Sequence, residues 1–595
     1  MKDFLKTLLA VICGLLIMGF IGISMFMGMA GTLAGLTSSQ PVLPKSGVLT
    51  IDMSKITIAE QASESAPLDM LQGNTTTSIG LWDAVQAIKA AAADPSVKYI
   101  YLKPENSTTG ISIGEEIRKA LANFRKSGKA VVAYVENPTA GNYYMASVAD
   151  KIYMNANEGA SPMITGVSSQ LVFLKDILDK LGINMQLIRH GKYKSAGEMY
   201  IKNAPSAENM EQNQAMVNSL WKTISSTIAQ SRGFSVEEFN SWVDNLELGS
   251  AKEMLEHNLV DEVVTNEELK ASLATLASVQ KPSELRYIPF ADYVKVKALP
   301  NVKAQKKIAV IYADGEIIPG SAKQGVAGDR FASVVAKVRA DSTVKAVVLR
   351  VSSPGGSVIA ADKIKTELDL LKKDKPLIAS YGYAAASGGY WISNNADKIF
   401  TDETTLTGSI GVFSMIPDVS GLQKDLLHVN MVSVKSNKHS DMLGLTRPLD
   451  NAETAYMQKQ VEDIYTAFVN TVSQGRSMEP DYVDSIAQGR VWTGAEALGI
   501  HLVDEIGTLE DAINYAIITT GAETVDLKEW AIEGYPKQPT SMELLMDAFG
   551  MSTDPVEKAF VNTPFLDIYK AFRGIEFNGR NNVYARLPYE YIINF

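Results

Sequence analysis

Cysteine is nearly absent from this chain of 595 residues: Cys13 is the single one. That excludes an intramolecular disulfide and any zinc site built on cysteine pairs. Histidine is scarce too, with His190, His257, His428, His439 and His501 making five. No H-E-x-x-H occurs and no Cys/His cluster, so the expectation is no metal and no cofactor. Basic charge is in deficit, 56 Lys+Arg against 67 Asp+Glu for a net charge of -11. A phosphate backbone needs a basic surface, so nucleic acid is an unsuitable partner. The remaining composition, 46% hydrophobic and 21% charged, is that of a folded globular chain, and its length calls for several domains.

Charge is also missing from the N-terminus. Between Lys6 and Lys45 there is none, and residues 8–29 read LLAVICGLLIMGFIGISMFMGM, 22 residues that are apolar or small. As a helix they span roughly 33 Å, enough for a hydrocarbon core of about 30 Å. Lys2 and Lys6 precede the run, so the positive-inside rule expects residues 1–7 in the cytoplasm and the rest of the chain on the other side. The run exceeds the apolar core of about 7–15 residues of a cleaved signal peptide, so a retained anchor is the reading preferred.

What is present in abundance is self-similarity. ADKIYMNANEGASPMITGVSSQ (149–170) matches ADKIFTDETTLTGSIGVFSM (396–415), and HNLVDEVVTNEELKASLA (257–274) matches IHLVDEIGTLEDAINYA (500–516). Two homologous domains result, 46–285 and 306–527, with residues 286–305 as connector and 528–595 as a C-terminal tail, expected to be helical because apolar residues recur at helical spacing in 541–577. Within the second copy, apolar β-branched runs alternate with amphipathic ones: KIAVIYADGEI, FASVVAKVRADS, VKAVVLRVSS, GGSVIAADKIKTELDLLKKD, PLIASYGY. This order predicts an α/β fold with a largely parallel sheet, whose chemistry sits at the carboxyl ends of strands.

Two such strand ends stand out. In RVSSPGGSV (350–358), Gly355 and Gly356 free backbone N–H groups just before a helix, as an anion-binding turn would; a plain strand-to-helix turn would use the same residues. In AAASGGYW, Ser387 opens a helix, with Gly388 and Gly389 beside it. A serine there is most simply an N-cap, and the G-x-S-x-G elbow is missed because Ala385 stands at its first glycine. A nucleophilic serine needs a base. None of the histidines has a carboxylate arrangement suggesting a triad, which leaves a lysine, made neutral by burial. Lys192 and Lys194 in IRHGKYKSAGEMY (188–200) are the candidates. The repeat sharpens this: Ala140 in the first copy stands where Ser387 stands in the second, and aligning INMQLIRHGKYKS on VNMVSVKSNKHSD sets Lys194 against Ser440. One copy keeps a lysine and the other a serine, as a dyad shared between halves would require.

The stretches SPGGS (353–357), YGYAAASGGYWIS (381–393), TLTGSIGV (405–412), GRVWTGAEALGIHLVDEIG (489–507) and GKYKSA (191–196) together resemble the long form of the signal peptide peptidase A (protease IV) family of membrane-bound serine peptidases. The resemblance covers nearly the whole chain. It implies two tandem crotonase/Clp-protease-like domains after one transmembrane helix in a bacterial inner membrane, with the catalytic domains outside the cytoplasm. It further implies Ser387 as nucleophile, Lys194 as general base and Ser409 as the hydroxyl that orients the lysine. The oxyanion hole would use Gly388 and one of Gly355 and Gly356. Hydrophobic peptides such as cleaved signal peptides are the implied substrates, and a homo-oligomer, a tetramer, the implied assembly. The sequence AGEMY after Lys194 departs from the family's usual form but leaves the lysine in place. A crotonase-like acyl-thioester enzyme and a non-catalytic membrane-tethered scaffold stand as the other readings.

Overall fold

The structure, a computed structural model, describes residues 41–63, 76–301, 303–538, 583–587 and 592–594. In the first repeat the elements run β1 (Gly47–Asp52), α1 (Leu81–Ala93), β2 (Val97–Lys103), α2 (Ile111–Arg125), β3 (Val131–Val135), α3 (Ala140–Ala146), β4 (Lys151–Asn155), β5 (Asn184–His190), α4 (Ala207–Arg232), β6 (Glu262–Val264), β7 (Tyr287–Pro289) and α5 (Phe290–Lys297). Six of the strands form a parallel sheet in the order β7-β1-β2-β3-β4-β6. Strands such as VVAYV in β3 are buried along their whole length, as a parallel sheet covered by helices on both faces demands.

The second repeat takes the same path: β8 (Lys306–Asp314), α6 (Gly328–Ala340), β9 (Val344–Ser353), β10 (Gly355–Ser357), α7 (Val358–Asp374), β11 (Leu377–Ala386), α8 (Gly388–Ser393), β12 (Lys398–Thr401), β13 (Leu406–Gly408), β14 (Val412–Asp418), α9 (Asn451–Arg476), β15 (Val491–Thr493) and α10 (Leu509–Thr519), joined from the tail by β16 (Trp530–Tyr535) and β17 (Val583–Arg586). The main sheet runs β15-β13-β11-β9-β8-β16, with β12 also on β11. Its one antiparallel pair is β13 with β15. The duplication is visible bond by bond. Buried Tyr143 donates its hydroxyl to the Leu259 carbonyl, and buried Tyr390 donates to the Leu502 carbonyl. Arg232 pairs with Asp261 as Arg476 pairs with Asp504. Helices α4 and α9 are 26 residues each and both are N-capped, by Ser206 and Asp450.

The repeats do not have separate cores. Leu49, Ile51 and Ile88 of the first pack in one apolar cluster with Val310, Val348, Ile378 and Ile513 of the second. The first repeat also extends an arm: β5 crosses to the second repeat and pairs antiparallel with all of β14, from Val412 opposite His190 to Asp418 opposite Asn184. A third sheet results, in which β10, β17, β14 and β5 lie side by side.

Residues 286–305, expected as a connector, carry structure that belongs to the first repeat. β7 pairs with β1, and α5 buries Phe290 and Tyr293, with the Tyr293 hydroxyl 3.0 Å from Asp94. Two aromatic residues one helical turn apart suffice to dock a stretch otherwise rich in lysine. The tail, expected to be helical, contributes strands where it is described: β16 pairs with β8 at the edge of the main sheet, and β17 pairs with both β10 and β14. The helically spaced residues 541–577 lie outside the described residues, as do residues 1–7 and the expected anchor 8–29. Among the described residues no helix is long and apolar enough to cross a membrane.

Candidate active site

Ser387 ends β11 and begins α8, but its side chain does not cap the helix. Its backbone is held at φ 54, ψ -112, a conformation that L-residues rarely adopt and that costs about 1–3 kcal/mol. The peptide N–H donates to the Gly408 carbonyl at 2.8 Å, which fixes the turn. The strain turns the hydroxyl away from the helix and toward the arm of the first repeat. There the Lys194 side-chain nitrogen lies 2.8 Å from Ser387 Oγ. The N-cap reading of Ser387 therefore fails: the bond that a cap would make to the helix is replaced by one to a lysine.

Lys194 is completely buried, and its Nζ also reaches Ser409 Oγ at 2.9 Å and the Ser409 carbonyl at 3.0 Å. Burial pushes its pKa well below the ordinary lysine value, and among the described residues no carboxylate offsets that. A neutral amine has two N–H donors and one lone pair. With three oxygens around it, the consistent arrangement has Nζ donating to Ser409 and accepting the Ser387 hydroxyl proton. Ser409 is itself at φ 49, and its N–H donates to the Arg490 carbonyl at 2.7 Å.

Glycines make room for the lysine. Gly489, at φ +79, packs so that a Cβ there would come 2.5 Å from Lys194 Cβ, and one on Gly411 would come 3.1 Å from Lys194 Cδ. The Lys194 loop is tied down by Tyr193 N–H to the Gln488 carbonyl at 2.9 Å and by Gln212, which donates to the Tyr193 carbonyl and to Ser195 Oγ, both at 2.9 Å. Lys192, the other candidate, lies over the Tyr193 ring at 5.0 Å.

Of the two glycines after Pro354, Gly355 sends its N–H to Ser353 Oγ at 3.2 Å. Gly356 N lies 3.1 Å from where a Cβ of Gly388 would stand, so the backbones of the two glycines pack against each other beside Ser387. Backbone N–H groups so placed are the kind that can hold a carbonyl oxygen as it gains negative charge. Ala386, the residue before Ser387, packs in one apolar cluster with Ala384, Leu406, Val491 and Leu587.

Counted forward from Asn184 and Asn430, Lys438 stands opposite Lys192; counted back from the caps Ser206 and Asp450, it stands opposite Lys194. The second copy thus has not lost its lysine, as the ungapped alignment suggests. It has a lysine that is exposed, on a segment that forms no strand pairing among the described residues. The serine is missing from the first copy as expected: the matched Tyr143 and Tyr390 place buried Ala140 at the position of Ser387.

Sequence reasoning missed the charges behind the site. Arg350, in the middle of β9, is fully buried and pairs with Glu60 at 2.8 Å and Glu116 at 2.7 Å, both from the first repeat. Burial disfavours the Arg350 charge, but Glu116 and Glu60 more than offset that and hold its pKa above the usual arginine value. Glu60 also accepts from Ser352 Oγ at 2.6 Å. Beside it, Asp402 is buried and pushed well above the carboxylate range by burial and by Glu116 and Glu115. The signal was in the sequence as a single arginine inside VKAVVLRVSS. Among the described residues no histidine bonds to Ser387. His439, Asp450 and Glu453 do lie close together, but Arg447 already bridges Glu453 at 2.8 Å and Asp441 at 2.6 Å.

The comparisons with known proteins agree with the chemistry of this site. The sequence pattern of Peptidase family S49 matches residues 123–280 and 369–522. The chain is 35% identical over 452 residues to Protease 4 of Haemophilus influenzae, covering 74% of this chain and 72% of that one. It is 34% identical over 525 residues to Protease 4 of Salmonella typhi, covering 84% and 82%. It is 29% identical over 501 residues to the chloroplastic serine protease SPPA of Arabidopsis thaliana, covering 82% and 73%. The protein is a serine peptidase with a mixed α/β fold. It belongs to peptidase family S49, which sets aside the acyl-thioester and scaffold readings.

Proposed function

We propose that this chain is a membrane-anchored endopeptidase that degrades apolar peptides, such as cleaved signal peptides, through an acyl-enzyme. Ser387 is the nucleophile and Lys194 the general base. The observation that carries this is the 2.8 Å contact between Lys194 Nζ and Ser387 Oγ, made by a lysine wholly removed from water. Free lysine titrates near 10.4, so a base working near neutral pH needs the several kcal/mol of desolvation that burial supplies. Ser409 orients the amine through its hydroxyl and its carbonyl. The amides of Gly388 and Gly356 stabilise the tetrahedral oxyanion, for which losing one donor typically costs about 100- to 1000-fold in rate. After the amine product leaves, water attacks the ester and the same lysine takes its proton.

The apolar cluster of Ala384, Ala386, Leu406 and Val491 that begins next to Ser387 supports a preference for apolar substrates over charged ones. Residues 8–29 would hold the enzyme in a bacterial inner membrane with the repeats, of crotonase/Clp-protease type, on the extracytoplasmic side. Self-association is supported by the second repeat's own arm. Leu426, Leu427, Met431, Val432 and Val434 are more than half exposed, whereas the matching β5 of the first repeat lies against β14. A second copy laid against this arm in the same manner would cover it, and repetition builds a homo-oligomer, with a tetramer as the expected size.

The test is fluorophosphonate labelling, together with hydrolysis of one apolar peptide amide, for the wild type, Ser387→Ala and Lys194→Ala. Loss of label in the first variant and of hydrolysis in both is expected. Full hydrolysis by Lys194→Ala would remove the lysine from the mechanism even if the serine remained.

A further inference from the structure

One buried side chain joins the two halves of the site. Gln212, in the second turn of α4, is 2% exposed and sends its amide nitrogen to the Tyr193 carbonyl and to Ser195 Oγ, both at 2.9 Å. These are the residues on either side of Lys194. Its amide oxygen accepts from the Val491 N–H at 3.4 Å. A carbonyl can only accept and a peptide N–H can only donate, so the partners at its two ends fix which way the amide faces. The Lys194 carbonyl is held separately, by Arg189 Nη1 at 2.8 Å. Arg189 is paired in turn with Glu198 at 3.2 Å, which accepts from the N–H of Ser206, the cap of α4, at 3.0 Å. The start of α4 thus grips the lysine loop twice.

Val491 belongs to the other half. It opens β15 and stands opposite Gly408 in the pairing with β13. The Gly408 carbonyl accepts the Ser387 N–H at 2.8 Å, and the Arg490 carbonyl accepts the Ser409 N–H at 2.7 Å. Gln212 therefore bonds to the strand on which the backbones of both serines around Lys194 Nζ depend. A second bridge lies outside the first: Glu211 accepts from the Tyr193 hydroxyl at 3.1 Å and from Arg490 Nη1 at 3.0 Å. The duplication supplies a contrast. Counted from the caps Ser206 and Asp450, Glu211 and Gln212 match Ala455 and Tyr456 of α9, and Tyr456 is 56% exposed. The copy whose lysine, Lys438, is exposed has neither the glutamate nor the glutamine at these positions.

We propose that Gln212 is the positioning residue of the general base: its one amide sets Lys194 against Ser387 and Ser409 by tying the lysine loop of the first repeat to β15 of the second. The proposal rests on the Ser387/Lys194 reading above. Gln212 acts through the loop rather than on the reacting atoms. Any shift of the loop backbone is carried along the lysine side chain to Nζ. Without Gln212 the loop is still held at the Lys194 carbonyl, so the fold persists while Nζ leaves its place between the serines and gains water. Water stabilises the ammonium and undoes the effect of burial on the amine. The charged groups facing the loop are Arg189 of β5, Lys192 and Glu198 on either side of Lys194, Glu211 of α4 and Arg490 before β15. They are the same in wild type and variant, so a change in titration reports the displacement of the amine itself.

The test is hydrolysis of one apolar peptide amide by the full chain, as kcat and KM from about pH 6 to about pH 10, with circular dichroism of each protein. The proteins are the wild type, Gln212→Met, Ser195→Ala and Lys194→Ala. Methionine fills the space of glutamine without its donor or acceptor. Gln212→Met is expected to lose about 10- to 100-fold in kcat with KM within about twofold, and its rising limb of kcat/KM is expected to move to higher pH. Ser195→Ala removes one of the two donated bonds at the cost of a single oxygen, and is expected to move the limb the same way by less. A folded Gln212→Met with the wild-type kcat and limb overturns the proposal. So does a change in KM alone, or a lower kcat with an unmoved limb, the mark of a residue that only holds the fold. Should Gln212→Met fail to fold, Ser195→Ala decides, and an unmoved limb there overturns the proposal. Activity retained by Lys194→Ala removes the base itself; activity lost there but unchanged in Gln212→Met overturns the positioning role alone.

Discussion

Lys194 and Ser387 are 193 positions apart in the chain and 2.8 Å apart in space. The first repeat supplies one and the second the other, and the contact exists because β5 crosses the boundary to pair with β14. The contact has consequences for rate, and the buried charges behind it have consequences for stability.

As the proposed base, Lys194 must be neutral to work, and burial lowers its pKa. Below that pKa the amine is an ammonium and cannot take the Ser387 proton. The ratio kcat/KM should therefore rise with pH through the folded Lys194 pKa and level off well below pH 10, the region where a solvated lysine of about 10.4 titrates. Lys194→Arg keeps a permanent positive charge and should lose about 100- to 10,000-fold in kcat across the whole range. A pH–rate profile of both proteins decides.

Gly489→Ala should disable the enzyme without unfolding it. The φ of +79 and the 2.5 Å approach to Lys194 Cβ leave no space for a methyl group, and Lys194 must shift. A displacement of about 1 Å at a catalytic group costs on the order of 100-fold. Circular dichroism should remain that of the wild type while kcat falls.

Arg350→Met leaves Glu60 and Glu116 buried together without their cation. Breaking a buried ion pair from one side destabilises by about 3–5 kcal/mol. Glu116, pushed up by burial already, will take a proton more readily without Arg350. The loss, read from urea unfolding, should thus be larger at pH 8 than at pH 5.

Asp402→Asn should stabilise the protein at neutral pH. The folded pKa of Asp402 lies well above its unfolded value of 3.8, raised by burial first and by Glu116 and Glu115 next. The folded state therefore binds more protons than the unfolded one above pH 3.8, and the wild type loses stability as pH rises from there toward the folded pKa. Asparagine does not titrate. The melting temperature of the variant should exceed that of the wild type at pH 7, and the difference should shrink toward pH 3.8.

Much of the site was readable from residue types and repetition. Apolar β-branched runs such as VKAVVLRVSS can be satisfied only between two layers, so the pattern alone called for a parallel sheet with helices on both faces. Ala140 could be set against Ser387 because a duplicated chain carries its own comparison. Other parts were not readable. Gly355 and Gly356 are equivalent in sequence, and only the bond from the Gly355 amide to Ser353 Oγ separates them. Lys438 is as much a lysine as Lys194. What differs is that one is enclosed by Gly489, Gly411 and two serines, and the other is exposed.

The tail shows the limit most plainly. VYARL (583–587) lacks the alternation of a strand, and strands pair by hydrogen bonds that any backbone can offer, so sequence does not say with what. Composition, periodicity and repetition determined by themselves that this chain is a duplicated α/β protein with few nucleophile–base pairs to choose from, because those signals act over short stretches of chain. The tertiary structure alone decided which lysine is stripped of water, which glycines pack beside the serine and which strands the tail joins, because burial and pairing depend on groups brought together from hundreds of residues apart.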